Sequence, residues 1–181
     1  MVSIDAGFLG LFLHPAAKPA SDPATGLPTV QARERVEQLI DDLDAKRERI
    51  TIPAPALAEF LVLAGDDGPQ FLSEITLRSN FYIQPFDQLA AVELAAMELL
   101  ARKRDSKRSP LPETVPWQKV KFDRQIVAIA KLHRAHTLYS DDGDVRAIAE
   151  DVGIKGMACW ELDIPKGNPT LFDNINSPSG E

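Results

Sequence analysis

The residues of this chain best suited to chemistry are carboxylates in unusual settings. Asp5 follows Val2-Ser3-Ile4, a short run β-branched at both apolar positions, which predicts a buried strand ending at the acid. Glu59 is the lone acid of Ala56-Leu57-Ala58-Glu59-Phe60-Leu61-Val62-Leu63-Ala64. A helix this apolar is expected to be mostly buried, so its acid needs a partner, a metal or an opening to solvent. Asp123 opens Asp123-Arg124-Gln125-Ile126-Val127-Ala128-Ile129-Ala130, where it reads as a helix cap. A helix N-terminus also favours anions, so capping and site building are compatible there. The densest signal is Ser140-Asp141-Asp142-Gly143-Asp144, three acids after a strand and before a helix. Like charges this close repel and raise one another's proton affinity unless a cation neutralises them.

Each acid has a plainer reading. Asp5 is also an ordinary turn aspartate, Glu59 a helix-edge acid, and Asp144 an N-cap in an acidic surface turn. Taken together they supply hard oxygen donors and no soft ones, which favours Mg²⁺ or Mn²⁺ over zinc. His133 and His136 lack a third ligand nearby and read as surface residues, and Cys159 reads as a buried strand cysteine.

These acids must be positioned by the elements around them. Strands are predicted at 2–4, 50–53, 81–83, 137–139 and 154–159. Helices are predicted at 8–13 (a short turn), 30–48, 55–64, 69–78, 88–104, 123–134 and 144–152. Asp87 is expected to cap the helix 88–104, with Leu89, Val92, Ala96, Leu99 and Leu100 as its core face. Long loops run over 14–28 and 106–116, the latter with three prolines. Strands alternating with helices predict an α/β domain with a parallel sheet covered on both faces. In such a sheet, sites form beyond the C-terminal strand ends, where Asp5 and the Asp142 cluster would lie.

Bulk properties bound the answer. The 181 residues, 44% apolar and 26% charged, suit one globular domain over 1–164 with a loose tail over 165–181. A single Cys excludes an internal disulfide and a Cys-based zinc cluster, and suits a reducing cytosol. The first residues carry no basic region, and the apolar run Phe8 to Leu13 is too short to cross a membrane, so a cytoplasmic protein is expected. A net charge of -7 argues against broad non-specific nucleic-acid binding, but not against a nuclease with a local basic patch. Arg102, Lys103, Arg104, Lys107 and Arg108 form the best such patch, or else a solvated helix end. Tyr82, Trp117 and Trp160 lie apart and make no stacking stripe, so no base preference is legible.

Over roughly residues 2–162 the chain resembles the PIN-domain family of metal-dependent ribonucleases. Val2-Ser3-Ile4-Asp5 is similar to the family's opening strand and aspartate, and Glu59 to the glutamate on the helix after its second strand. Asp123 to Ala130 resembles its Asp-x-x-Ile-x-Ala-x-Ala helix, and Ser140-Asp141-Asp142-Gly143-Asp144 its last acidic turn. The chain departs from the family pattern at Ala6-Gly7, where a hydroxyl and an amide commonly follow the first acid. The resemblance implies a three-layer α/β/α fold with about five parallel strands and an Mg²⁺- or Mn²⁺-dependent endoribonuclease. In it Asp5, Glu59, Asp123 and Asp142 would be catalytic and would hold metal, with Asp144 as a further ligand and Ser140 and Arg124 supporting. It also implies an RNA substrate, a homodimer and, for relatives of toxin–antitoxin pairs, a small antitoxin. A catalytically weak PIN-like interaction module is the alternative. A phosphatase or receiver-like domain is disfavoured, because Lys155 is poorly placed and no second acid stands beside Asp5.

Overall fold

A computed structural model describes residues 1–104 and 106–165. The predicted tail therefore lies, beyond residue 165, outside the described residues. The chain forms β1 (Val2–Ile4), α1 (Ala6–Leu13), α2 (Ala32–Ala45), β2 (Ile50–Pro53), α3 (Ala54–Ala64), α4 (Gly68–Leu77) and β3 (Phe81–Gln84). It continues through α5 (Gln88–Lys103), α6 (Trp117–Leu132), β4 (Thr137–Tyr139), α7 (Gly143–Asp151) and β5 (Lys155–Met157).

All five strands are parallel, in the order β3-β2-β1-β4-β5. The architecture is the predicted three-layer α/β/α. Strand side chains alternate between two cores. Val2, Ile4, Ile50 and Ile52 pack with Phe8, Leu9, Val36, Ile40, Phe60 and Ile75 from α1 to α4. On the other side Leu138 packs with Val120, Val127 and Ala130 of α6 and Val145 and Ile148 of α7. β1 is central, so all three of its residues are buried.

The order reverses at β1. From it, β2 and β3 follow on one side, and β4 and β5 on the other. The C-terminal ends of β1 and β4 thus open a crevice at the topological switch point, where ligands bind in open parallel sheets. Ile4 pairs with Tyr139, and the Asp5 amide donates to the Tyr139 carbonyl at 3.1 Å, so Asp5 and Ser140 emerge side by side.

Four elements differ from the sequence pattern. α6 starts at Trp117 rather than 123, because Pro116 sits at its N-cap in an extended conformation and no proline or glycine follows until the helix is complete. Asp123 is therefore inside the helix and is not its cap. α7 is capped by Asp142, whose side chain accepts from the Asp144 amide at 2.8 Å, and not by Asp144.

The third difference is the buried face of α5. Its core contacts come from Ala90, Met97 and Ala101, while Leu89, Val92, Leu99 and Leu100 are 61%, 63%, 60% and 50% exposed. Two apolar stripes run along this Ala- and Leu-rich helix, and the one with small residues packs closely against α6. Lys155–Met157 is also shorter than the predicted strand, because Cys159 begins a 3₁₀ turn.

Candidate functional site

The crevice holds a pocket of about 390 Å³ lined by Asp5, Glu59, Lys119, Asp123, Asp141 and Asp142, with Ala6, Gly7, Phe122, Ile126 and Val145 as its apolar wall. Asp5 enters from the end of β1 and caps α1, accepting from the Phe8 amide at 3.0 Å. It is only 7% exposed. Burial pushes its carboxyl up to about 7; hydrogen bonds from Ser140 and Phe8 oppose this, and the charges of Asp141 and Glu59 add to it.

Asp123 enters from the second turn of α6 and is 4% exposed. Burial pushes it up to about 6, against the hydrogen bond from Lys119 and with the repulsion of Asp142 and Asp144. Glu59 stands at the pocket mouth and is exposed. Its proton affinity is also raised, by burial against the pocket and by Asp142, with Lys119 opposing. α3 is not the mostly buried helix that its apolar sequence predicts: Val62 and Leu63 are 81% and 71% exposed. Glu59 has the opening to solvent that the sequence allowed, and it borders the pocket.

The β4–α7 turn brings the remaining acids. The Ser140 hydroxyl accepts from the Asp142 amide at 3.0 Å, which fixes the turn. Asp141, absent from the predicted set, lines the pocket while its carboxylate accepts from the Cys159 amide at 2.7 Å. Burial raises the proton affinity of Asp141, offset by that hydrogen bond and by Arg146. Cys159 is buried, and its thiol is pushed up to about 12 by burial and by the charge of Asp141, so it stays a neutral packing residue.

Lys119 is the main residue that sequence reasoning missed. Its Nζ lies 2.8 Å from Asp123, 2.9 Å from Asp142 and 2.9 Å from Asp144. Burial alone would lower its pKa, but these three carboxylates outweigh burial and hold the ammonium well above its ordinary value. A signal was available: Lys119 and Asp123 are four apart, hence on one helix face. It goes unseen when the helix is started at 123.

Arg124 is not brought to the pocket. It is buried on another side of α6, donates to the Ser109 carbonyl at 2.8 Å and lies 5.7 Å from the Trp117 ring centre. Successive helix residues diverge by about 100°, so adjacency to Asp123 in sequence does not make it a neighbour in the site. The five basic candidates do not line the pocket either. Arg104 pairs with Asp151, Arg108 with Glu113, Arg102 reaches Glu98 at 3.9 Å, and Lys107 lies over Trp117 at 5.3 Å. Lys103, on the last turn of α5, is exposed.

The donor set suits a hard divalent cation, because it is all carboxylate oxygen and already gathers three acids around a positive charge. Among the described residues, no group of three or more Asp, Glu, His or Cys side chains is arranged to hold a metal ion as the side chains lie. Lys119 stands between them instead.

No protein-family model matches the chain, and no curated protein does. Solved structures match over most of its length. A chain of FitAB bound to an IR36 DNA fragment is 20% identical, with a TM-score of 0.55 over 91% of this chain and 99% of that one. A chain of VapBC2 from Rickettsia felis, bound to a DNA fragment from its promoter, is 13% identical, with a TM-score of 0.50 over 87% and 98%. At these identities the likeness is one of fold, and the fold of this chain is PIN-domain-like.

Proposed function

We propose that the acidic pocket is the centre of an Mg²⁺- or Mn²⁺-dependent endoribonuclease that hydrolyses RNA phosphodiester bonds. The observation that carries this reading is the Lys119 ammonium within 2.9 Å of three carboxylates at the sheet's switch point, with buried Asp5 beside them. So much like charge is tolerated in one pocket only where cations are part of its working state.

In this reading Asp5, Glu59, Asp123 and Asp142 hold the metal and Asp144 is a further ligand. A divalent ion, when bound, supplies Lewis acidity at the phosphoryl group and acidifies a water. The chain's own residues do the rest. The Phe8 amide and Ser140 orient Asp5, and the Cys159 amide restrains Asp141. Asp5, whose proton affinity burial raises in the metal-free pocket, would be ionised by the cation it holds. Arg102, Lys103, Arg104, Lys107 and Arg108 are proposed to meet the RNA backbone outside the pocket, and their ion pairs would have to open to do so.

A partnership of the toxin–antitoxin kind, with a small protein that covers the pocket, belongs to the same proposal, as does a homodimer. The uncovered stripe of Leu89, Val92, Leu99 and Leu100 on α5 supports an interface with a second copy. An adjacent small gene encoding a DNA-binding fold plus a tail would support the toxin reading.

The test is cleavage of structured and unstructured RNA with Mn²⁺, Mg²⁺ or EDTA, beside Asp123→Asn and Asp5→Asn. Cleavage that needs the metal and falls by about 10²-fold or more in both variants is expected. Cleavage indifferent to EDTA and to both substitutions would overturn the proposal.

The interaction-module reading has one observation of its own. Ala6 and Gly7 wall the acidic pocket and also a neighbouring, largely apolar cavity of about 290 Å³ with Gly10, His14, Phe60 and Leu63. A protein side chain would fit there. Tight protein binding without RNA cleavage under any metal would favour that reading.

A further inference from the structure

Lys119 is held among three acids. A lysine ammonium has three N–H donors. Asp123 accepts one of them at 2.8 Å, and Asp142 and Asp144 each bring a carboxylate oxygen to 2.9 Å from the same nitrogen. An ammonium surrounded in this way is already neutralised by its own acids. It is a filled cation position, with the ion carried on the protein's own side chain.

The filling is lopsided. Asp5 is not among the ammonium's partners; its carboxylate is held by the Phe8 amide and Ser140. Among the described residues lining the pocket, Lys119 is the one basic side chain. The charges of Asp141 and Glu59 act on Asp5, while Glu59, at the pocket mouth, also meets those of Asp142 and Lys119. The Asp142 side of the pocket therefore carries its own cation, and the Asp5 side carries none.

We propose that Lys119 is a resident cation that takes the place of one metal ion, so that the pocket loads a single divalent ion on the Asp5 side instead of a pair. Two-metal centres place their ions about 3.5–4 Å apart, with carboxylates between them. Asp123 would be the carboxylate shared between the two positions, since it lines the pocket with Asp5 and is bonded to Lys119. A tethered ammonium is a compact point charge, hard to displace because it cannot diffuse away. The inference rests on the divalent-ion reading above and narrows its ligand set: one ion on Asp5, Glu59 and Asp123, with Asp142 and Asp144 left to Lys119.

The experiment counts Mn²⁺ per chain by calorimetry and by the electron paramagnetic resonance of free Mn²⁺, on intact protein at neutral pH. The wild type and Lys119→Arg, which keeps the charge, are expected to bind one ion. Lys119→Met is expected to bind two. Lys119→Gln keeps the length and loses the charge, and should also bind two, which covers a methionine variant that fails to fold. In EDTA the uncharged variants should melt below the wild type and recover with Mn²⁺. Equal counts in the wild type and both uncharged variants would overturn the inference while leaving the metal reading intact. Binding by the uncharged variants alone would also overturn it, since the ammonium would then exclude every divalent ion. No binding by any of the four would overturn the metal reading and this inference with it.

Discussion

At the scale of single residues, the pocket's chemistry is set by burial working against charge. Asp5 is pushed up to about 7 and Asp123 to about 6, burial leading in both cases. A carboxyl whose folded pKa is raised binds its proton more tightly in the folded chain than in the unfolded one. Between about pH 4 and about pH 7 the folded protein keeps a proton that the unfolded chain has lost, so stability falls as pH rises through that window. The metal-free protein should therefore melt at a lower temperature at about pH 8 than at about pH 5, with a stability difference on the order of a few kcal/mol. Saturating Mn²⁺ should narrow the gap, because a cation favours the ionised carboxylates. Differential scanning calorimetry at the two pH values checks this, and a melting temperature that rises with pH would contradict it.

Single elements show how the site is held in place. The β4–α7 turn that delivers Asp141 and Asp142 depends on close packing behind it, where α7 crosses β5 at Gly156. A methyl group on Gly156 would stand 2.8 Å from Arg146 Cβ and 3.2 Å from its Cα. Those atoms belong to the helix itself and cannot swing aside. Gly156→Ala should therefore destabilise the protein by about 1–3 kcal/mol, measured by urea denaturation. It should also weaken the pocket, because Arg146 donates to the Ser140 carbonyl at 2.7 Å and stacks over Trp160 at 5.0 Å. α6 carries a comparable load: one helix presents Lys119 and Asp123 to the pocket, Arg124 to the Ser109 loop, and Val120 and Val127 to the core.

For the molecule as a whole, the open question is what covers its bare apolar surface. The α5 stripe leaves four large apolar side chains at least half exposed. No described helix is long and apolar enough to cross a membrane. With a second copy as the proposed occupant, Leu99→Glu combined with Leu100→Glu should convert a dimer to a monomer in light scattering. Both side chains point to solvent, so the melting temperature of the monomer should change little. A wild type that is already monomeric across the micromolar range would remove the homodimer from the proposal.

The sequence by itself determined the layers, the parallel sheet and four acids that line the pocket, Asp5, Glu59, Asp123 and Asp142, but not Asp141. Alternating apolar strands such as Val2-Ser3-Ile4 and Ile50-Thr51-Ile52 leave few ways to cover both faces, and Asp5 and the Asp141-Asp142 turn follow strand ends where any such sheet opens. Tertiary structure decided what those acids meet. Lys119 becomes central once α6 begins at Trp117, and Arg124 leaves the site because its helix face is claimed by Trp117 and the Ser109 loop. Which stripe of α5 is buried was likewise a matter of fit, since a face carrying Ala90 and Ala101 lets α6 approach more closely than the larger leucines would. Periodicity and residue type specify which faces are apolar and where charge collects. The partner of a charge and the cover of a face depend on distances between elements far apart in the chain, which a local pattern does not encode.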